Sequence, residues 1–296
     1  MLGSFFAINA ALFWAVAIIL YKKSQGSFSP ITLNIYKSIV ALVLISVTML
    51  LFNIPFFPDK PLKYWMMLSL SGFLGITLAD IFFFIALDRL GAGLLAIVEC
   101  LYLPSVLLFS FIFLGESLSP WGIAGSLLVF SAVIMGSLTK RKVAEETSSL
   151  SKETLWGLIA GILSILFLAL GIVIVKEVLE QTDVFWATLV RVWAGVLSLG
   201  IIVLCHPGRG RYLAELKFSR AWLTALPASV AGNYIALVFW VAGMKYTTAS
   251  RAAILNQMST IFIFILAALF LKEKITLNRA LAIGLAMTGA CLTILG

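Results

Sequence analysis

The chain has 296 residues, of which 62% are apolar and only 11% charged, and its mean hydropathy is +1.10. Soluble domains are about 45–50% apolar and about 25% charged, so this composition excludes an ordinary water-soluble protein. One histidine and 13 acidic residues are a thin supply for metal centres or acid–base catalysis, and we expect neither a metal nor a cofactor. The net charge of +8 lies at the ends of apolar runs rather than on one soluble face, which argues against nucleic acid as a partner.

Ten apolar runs follow one another along the chain, and each can cross a bilayer core of about 30 Å as a helix. The runs are continuous, whereas the strands of a membrane β-barrel alternate apolar and polar residues. We therefore predict an all-α polytopic membrane protein with ten transmembrane helices. The predicted spans are residues 4–20, 31–52, 64–87, 90–114, 120–138, 154–175, 184–204, 221–243, 248–271 and 277–295.

One long polar stretch, residues 139–153, divides the ten predicted spans into five and five. We predict a first five-helix unit over residues 1–138, a linker over 139–153 and a second unit over 154–296. The loops after the odd-numbered spans hold fourteen Lys and Arg residues, against five on the opposite side. The positive-inside rule then places the richer side in the cytoplasm and both termini outside.

A weak internal repeat relates the two units. An offset of 157 residues pairs Gly75 with Gly232, and a nearby offset of 154 pairs Lys37 with Arg191. A unit with five crossings must enter the membrane from the opposite side when it is repeated. The sequence therefore predicts two inverted repeats (5+5), an architecture that holds its substrate near the membrane midplane and alternates access around that site.

Several short motifs accompany this architecture. They are residues 11–15 followed by Lys22, Ser29-Pro30, the basic residues Lys37 and Arg191 in the second span of each unit, the small-residue starts 92–97 and 249–254, and the span ends 113–116 and 270–273. With these motifs the chain resembles, over nearly its whole length, the EamA-type members of the drug/metabolite transporter superfamily. The resemblance implies a secondary transporter that exports amino acids, other small metabolites or drugs.

The chain departs from the pattern of that family at three places. Lys37 stands where the family often has Arg, and Lys272 where it has Gly before the second-unit glutamate. Leu103 precedes Pro104 where many members have Glu. Roles attached to a Glu-Pro pair therefore transfer poorly to this chain. The organellar relatives also have cytosolic termini, which conflicts with the orientation that the loop charges predict.

Ionisable and polar residues within the spans are the candidates for a site, because each ionisable one costs about 2.5–3.5 kcal/mol on insertion scales. Glu99 and Tyr102 share one face of the fourth span, and the repeat places Asn256 and Ser259 at the same depth in the ninth. We predict that they line a cavity, the alternative being a hydrogen bond that joins the two spans. The candidate substrate-binding residues are Glu99, Tyr102, Asn233, Asn256, Gln257, Ser259, Lys37 and Arg191.

Asp80 in the third span is the second buried acid. Asp80 or Glu99 could carry a coupling proton, and Asp80 could instead form a structural ion pair with Lys37 or Arg191. The two basic residues could bind a substrate carboxylate or extend to the lipid headgroups, and the sequence does not separate these roles.

Other residues have a structural explanation that the sequence favours. Trp14, Trp193 and Trp240 are expected to pack against lipid or the membrane interface, with a cavity wall as the less common use. Glu116 and Glu273 end equivalent spans, so we expect them to cap or bridge helices.

The sequence thus predicts a secondary transporter, an exporter of amino acids or similar zwitterions in a bacterial inner membrane. It contains no Walker A motif, so an ion gradient or exchange would drive transport. A lipid or lipid-linked sugar flippase, or a drug exporter, on the same fold is the alternative. An intramembrane enzyme is disfavoured because the paired aspartates, Ser/His pair or HExxH motif that it would need are missing. The expected partners are a small-molecule substrate and the bilayer, and the expected state is a monomer or homodimer.

Overall fold

A computed structural model describes residues 2–25, 27–115, 119–143, 152–217, 219–246, 255–256, 258–273 and 276–295. Every regular element within these ranges is helical. The α-helices are α1 (Leu2–Ser24), α2 (Pro30–Leu51), α3 (Leu62–Gly72), α4 (Ala79–Leu90), α5 (Ala92–Glu99), α6 (Tyr102–Leu114), α7 (Pro120–Val143), α8 (Lys152–Val173), α9 (Lys176–Glu180), α10 (Val184–Cys205), α11 (Arg209–Glu215), α12 (Trp222–Ser229), α13 (Leu237–Tyr246), α14 (Met258–Leu271) and α15 (Leu277–Leu295).

Among the described residues, seven helical segments are long and apolar enough to cross a membrane, and three shorter apolar helices accompany them. These segments overlap the ten predicted runs. The prediction of an all-helical, polytopic membrane protein is therefore confirmed. Its physical basis is that a helix satisfies its own backbone hydrogen bonds where lipid offers no partner.

Side-chain caps fix where two of the central helices begin. The Ser29 hydroxyl accepts from a backbone amide in the first turn of α2, and Pro30 occupies the first helical position, where its missing N–H is harmless. The Asp183 carboxylate likewise accepts from two backbone amides of α10, at 2.9 and 3.1 Å. These caps set the register of the helices that carry Lys37 and Arg191.

Two of the long segments contain a π-helical turn at the same relative place. Phe73–Leu78 joins α3 to α4, and Val230–Ala236 joins α12 to α13, so the two turns begin 157 residues apart. The Asn34 amide donates to the carbonyl of Ile76 within the first turn, at 2.8 Å. Such turns are rare and often occur at functional sites. Hydropathy did not predict them.

The predicted fourth span, residues 90–114, is divided into two helices. α5 ends at Glu99 and α6 begins at Tyr102, with a tight turn between them. Pro104 explains the break because it lacks the N–H that would bond the carbonyl of Cys100. As a result, Glu99 lies at a helix end in the middle of the segment.

Helices of the two predicted units pack closely against one another. α1 packs along α12 and α13, α8 packs along α4, and α7 packs along α15. Glycines permit the approach of α8, since a Cβ at Gly157 would lie 2.8 Å from Cδ2 of Leu90 and one at Gly161 would lie 2.9 Å from Cγ1 of Val98. Small residues at such crossings let two backbones pack together in a membrane.

Candidate functional site

A cavity of about 250 Å³ lies among the helices, between the two predicted units. Its wall is mostly apolar, and the two π-helical turns contribute Gly75, Ile76, Gly232 and Asn233 to it. Seven of the nine candidate residues of the sequence lie in this wall: Asp80, Glu99, Tyr102, Arg191, Asn233, Asn256 and Ser259. The structure therefore brings together residues that are spread over 180 positions of the chain.

Lys37 and Asp80 form an ion pair, with Nζ 2.6 Å from Oδ2. The Lys37 side chain is only 3% exposed, whereas that of Asp80 is 20% exposed and reaches the cavity. Of the two basic partners that the sequence offered for Asp80, the structure selects Lys37. Because its charge is already neutralised and its side chain is buried, Lys37 is not positioned to attract a substrate.

Arg191 is arranged differently from its repeat equivalent. It lies in the cavity wall, and its Nε is buried without a hydrogen-bond partner. Within the described residues no carboxylate lies within 4.0 Å of it. The guanidinium lies beside Gly75, where an added Cβ would be 3.4 Å from one terminal nitrogen. Asp80 and Tyr102 are close enough to interact with it electrostatically.

Glu99 occupies the last position of α5, directly before the helix break, and its side chain lines the cavity. The Trp14 side chain lines the same cavity. Within the described part of the chain, Glu99 has no basic partner at ion-pair distance. The break therefore presents an unpaired carboxylic acid to the cavity.

The amide and hydroxyl candidates complete the polar part of the wall. Asn233 accepts a hydrogen bond from the hydroxyl of Tyr21, at 2.7 Å, and Tyr21 is fully buried. Asn256 and Ser259 lie in the wall, and Gln257 lies outside the described residues. The sequence did not point to Tyr21, because one tyrosine near the end of an apolar run carries no distinguishing pattern.

Two tryptophans correct an expectation from the sequence. Trp14 and Trp240 line the cavity, so the expectation that they face lipid or the interface is wrong. Trp193 is 48% exposed, as expected of a residue that faces lipid. Hydropathy cannot separate these cases, because a cavity wall and a lipid-facing surface both accept large aromatic side chains.

Glu273 has the structural role that the sequence predicted. Its carboxylate accepts from the backbone amides of Ala92 and Gly93, at 2.9 and 3.2 Å, and so caps α5. It also pairs with Arg279 in α15, at 3.7 Å. Its predicted equivalent Glu116 lies outside the described residues.

One end of the bundle is bridged between the two units. We call it the first face, where α1 ends and α2 and α12 begin. The hydroxyls of Ser24 and Thr224 bond each other at 2.8 Å, and the hydroxyl of Tyr21 lies 3.4 Å from that of Ser229. With the Tyr21–Asn233 bond, these contacts join α1 to α12 and the following π-helical turn.

Glu215 of α11, outside the spans, adds a further bridge on the first face. Its carboxylate accepts from the backbone N–H of Ser29, at 2.8 Å, and pairs with Arg211. Partial burial raises the pKa of Glu215, but the hydrogen bonds from Ser29, Thr32 and Arg211 outweigh it, so the pKa is lowered. A lowered pKa keeps the bridge ionised at neutral pH, and its stabilising effect is lost only as the pH falls through that value.

Comparison with known proteins identifies the family. The sequence model of the EamA-like transporter family matches residues 1–138 and 155–295, which is almost the whole chain. The chain belongs to the EamA-like transporter family. An uncharacterized transporter of Archaeoglobus fulgidus is 26% identical over 284 residues, which cover 93% of this chain and 92% of that protein.

A solved crystal structure of a protein superposes on this EamA-like chain with a TM-score of 0.66. The alignment covers 98% of this chain and 95% of the other, at 19% identity, so the likeness concerns the fold alone. Family membership confirms the resemblance to the EamA-type drug/metabolite transporters. It also confirms the prediction of an integral, multi-pass membrane protein, and it indicates a transporter rather than an enzyme.

Proposed function

We propose that this EamA-like protein is a secondary transporter that exports small metabolites, amino acids or similar zwitterions, through the central cavity. The observation that carries the proposal is the charge of the wall, where an acid from the first unit and a guanidinium from the second line one cavity. Ionisable groups within spans are costly, so a site that uses both signs of charge accounts for their presence. The direction of transport follows from the family resemblance.

The same proposal includes two inverted five-helix repeats, over residues 1–138 and 154–296, joined by the linker 139–153. Two matches of the family model, at 1–138 and 155–295, support this division. The paired π-helical turns support it as well. The packing supports it too. In the repeat α1 is equivalent to α8, and α12 with α13 is equivalent to α3 with α4. The contact of α1 with α12 and α13 therefore has its counterpart in the contact of α8 with α4.

Alternating access is the mechanism that we infer for this arrangement. The first face is bridged by the Tyr21, Ser24 and Glu215 hydrogen bonds, whereas the cavity wall continues toward the other face as far as Trp240 and Asn256. The excess of basic loop residues assigns the first face to the cytoplasm. The described conformation is then closed toward the cytoplasm.

Replacing Tyr21 by phenylalanine should shift this equilibrium toward opening of the first face. The change removes the hydrogen bond to Asn233 and leaves the packing of the ring, so about 0.5–1.5 kcal/mol is lost and the open population rises roughly 2- to 12-fold. Spin labels at Lys23 and Leu223, both exposed on the first face, should then report a larger share of long distances.

Tyr64 provides the matched control for that measurement. Its hydroxyl bonds the side chain of Gln181 at the opposite end of the bundle. Tyr64→Phe should leave the distances on the first face unchanged or shortened. An equal lengthening by both variants would show general loosening of the protein and would contradict a role for Tyr21 in closure.

Transport itself is tested with purified protein in liposomes loaded with radiolabelled neutral, aromatic and basic amino acids. Efflux should occur for one class, and an imposed pH gradient should change its rate if a proton is coupled. Asp80 and Glu99 are the candidate proton carriers, so Glu99→Gln and Asp80→Asn are measured alongside the wild type. Glu177→Gln, a change of the same chemistry on an exposed glutamate, is the control.

The outcomes separate the alternatives. Efflux of one amino-acid class that depends on Glu99 supports the proposed exporter. A folded, monodisperse protein that releases none of the amino acids would exclude this substrate assignment. Movement of a fluorescent lipid between leaflets, or of a lipophilic cation, would then favour the flippase or the drug exporter.

A further inference from the structure

The cavity region holds two basic and two acidic side chains, but only one base and one acid form an ion pair. The two bases are Lys37, which is buried, and Arg191, which lies in the cavity wall, and the two acids are Asp80 and Glu99. Asp80 is bound to Lys37 at 2.6 Å, which neutralises one base and one acid. One positive and one negative group remain, and within the described residues they do not pair with each other.

The remaining positive group is suited to a carboxylate. Arg191 presents a planar fork of donors, and its buried Nε has no acceptor in the protein. Guanidinium and carboxylate groups match in geometry and form paired hydrogen bonds. A cavity ligand that brings a carboxylate would supply both the missing acceptor and the missing counter-charge.

The remaining negative group is suited to an ammonium. Glu99 stands at the break between α5 and α6, lines the cavity, and has no basic partner at ion-pair distance in the described chain. Carboxylate oxygens can accept several hydrogen bonds, and a primary ammonium has three donors to give. Glu99 can therefore bind the cationic group of a ligand in the cavity.

We propose that the cavity binds both charged groups of a zwitterion, with Arg191 on its carboxylate and Glu99 on its ammonium, while Lys37 serves only to neutralise Asp80. This inference rests on the proposed function and deepens it, because it assigns each charged group of the transported molecule to one residue. The apolar remainder of the wall, which includes Leu168 and Trp240, then receives the side chain of the cargo.

Three compounds that share one side chain test the assignment. L-phenylalanine carries both charges, L-phenylalaninamide lacks the carboxylate and 3-phenylpropionate lacks the ammonium. L-leucine, L-leucinamide and 4-methylpentanoate form a second, smaller set. Binding to the detergent-solubilised full chain is measured by calorimetry for the wild type, Arg191→Gln and Glu99→Gln. Lys63→Gln and Glu177→Gln remove exposed charges outside the cavity and serve as matched controls.

The wild type should bind the zwitterion of at least one set at least about tenfold more tightly than either analogue, since each analogue leaves a charged group unpaired. The two variants should then exchange preferences. Arg191→Gln should bind the amide better than the zwitterion, and Glu99→Gln should bind the deaminated acid better than the zwitterion. A general loss of folding cannot produce such opposite changes, and the controls should behave as the wild type.

The outcomes distinguish this inference from the function on which it rests. Zwitterion binding that neither variant alters, or that both variants weaken for all three compounds alike, would overturn the assignment and leave an amino-acid transporter in place. Binding of none of the six compounds by folded wild-type protein would overturn both.

Discussion

Lys37→Met should lower the free energy of unfolding by about 3–5 kcal/mol, because it leaves the carboxylate of Asp80 without its partner inside the membrane. The Lys37 side chain is 3% exposed, so methionine can occupy a similar volume and the loss is electrostatic rather than steric. Chemical unfolding in detergent micelles, followed by the fluorescence of the tryptophans, measures the change.

The double variant Lys37→Met/Asp80→Asn separates this cause from others. Once both charges are gone, no group is left uncompensated, and most of the lost stability should return. Arg211→Met, which removes a base that is 76% exposed from its pair with Glu215, should cost less than about 1 kcal/mol. A double variant as unstable as Lys37→Met would show that the ion pair is not the source of the effect.

The positions of the helices could be predicted because lipid imposes a single rule on the whole chain. Every span must be apolar and helical, so the runs of the sequence and the observed helices overlap throughout the described chain. The caps at Ser29 and Asp183 are predictable from the sequence as well, because each side chain accepts from amides only two or three residues away.

The interruptions within the helices were harder to foresee. Pro104 is a local signal, because its missing N–H is enough to predict a break after Glu99. The π-helical turn of the first unit has no such signal, because Phe73–Leu78 contains no proline. This turn depends on contacts such as the hydrogen bond from the Asn34 side-chain amide to the carbonyl of Ile76, which the sequence does not reveal.

The partners of the charged residues were also beyond the sequence. The repeat made Lys37 and Arg191 equivalent, and either one could have neutralised Asp80. The rotation of α2 and α10 about their axes decides which of the two bases reaches Asp80, and tertiary packing sets those rotations. Most of the candidate residues thus lie in one cavity wall, while the distinction that matters chemically, between a paired and an unpaired base, came from the structure.

Gly72→Ala should cost about 1–3 kcal/mol of stability and most of the transport activity, because α3 and α10 touch at this position. An added Cβ would lie 2.2 Å from the carbonyl oxygen of Arg191 and 2.8 Å from its Cα. These are backbone atoms that cannot rotate away, so the helices must separate. Since the contact is with the residue that bears the cavity guanidinium, the shift should also displace Arg191 from the wall.

Gly200→Ala is the matched control. Gly200 lies in α10, the helix that Gly72 contacts, and a Cβ there would meet nothing within 4 Å. Alanine is the better helix former by about 1 kcal/mol, so this variant should be neutral or slightly stabilised and fully active. Thermal unfolding and liposome efflux measured together decide the question. Equal behaviour of the two variants would show that α3 and α10 do not pack as closely at Gly72 as the described contact requires. A stable but inactive Gly72→Ala protein would instead place the whole effect on the position of Arg191.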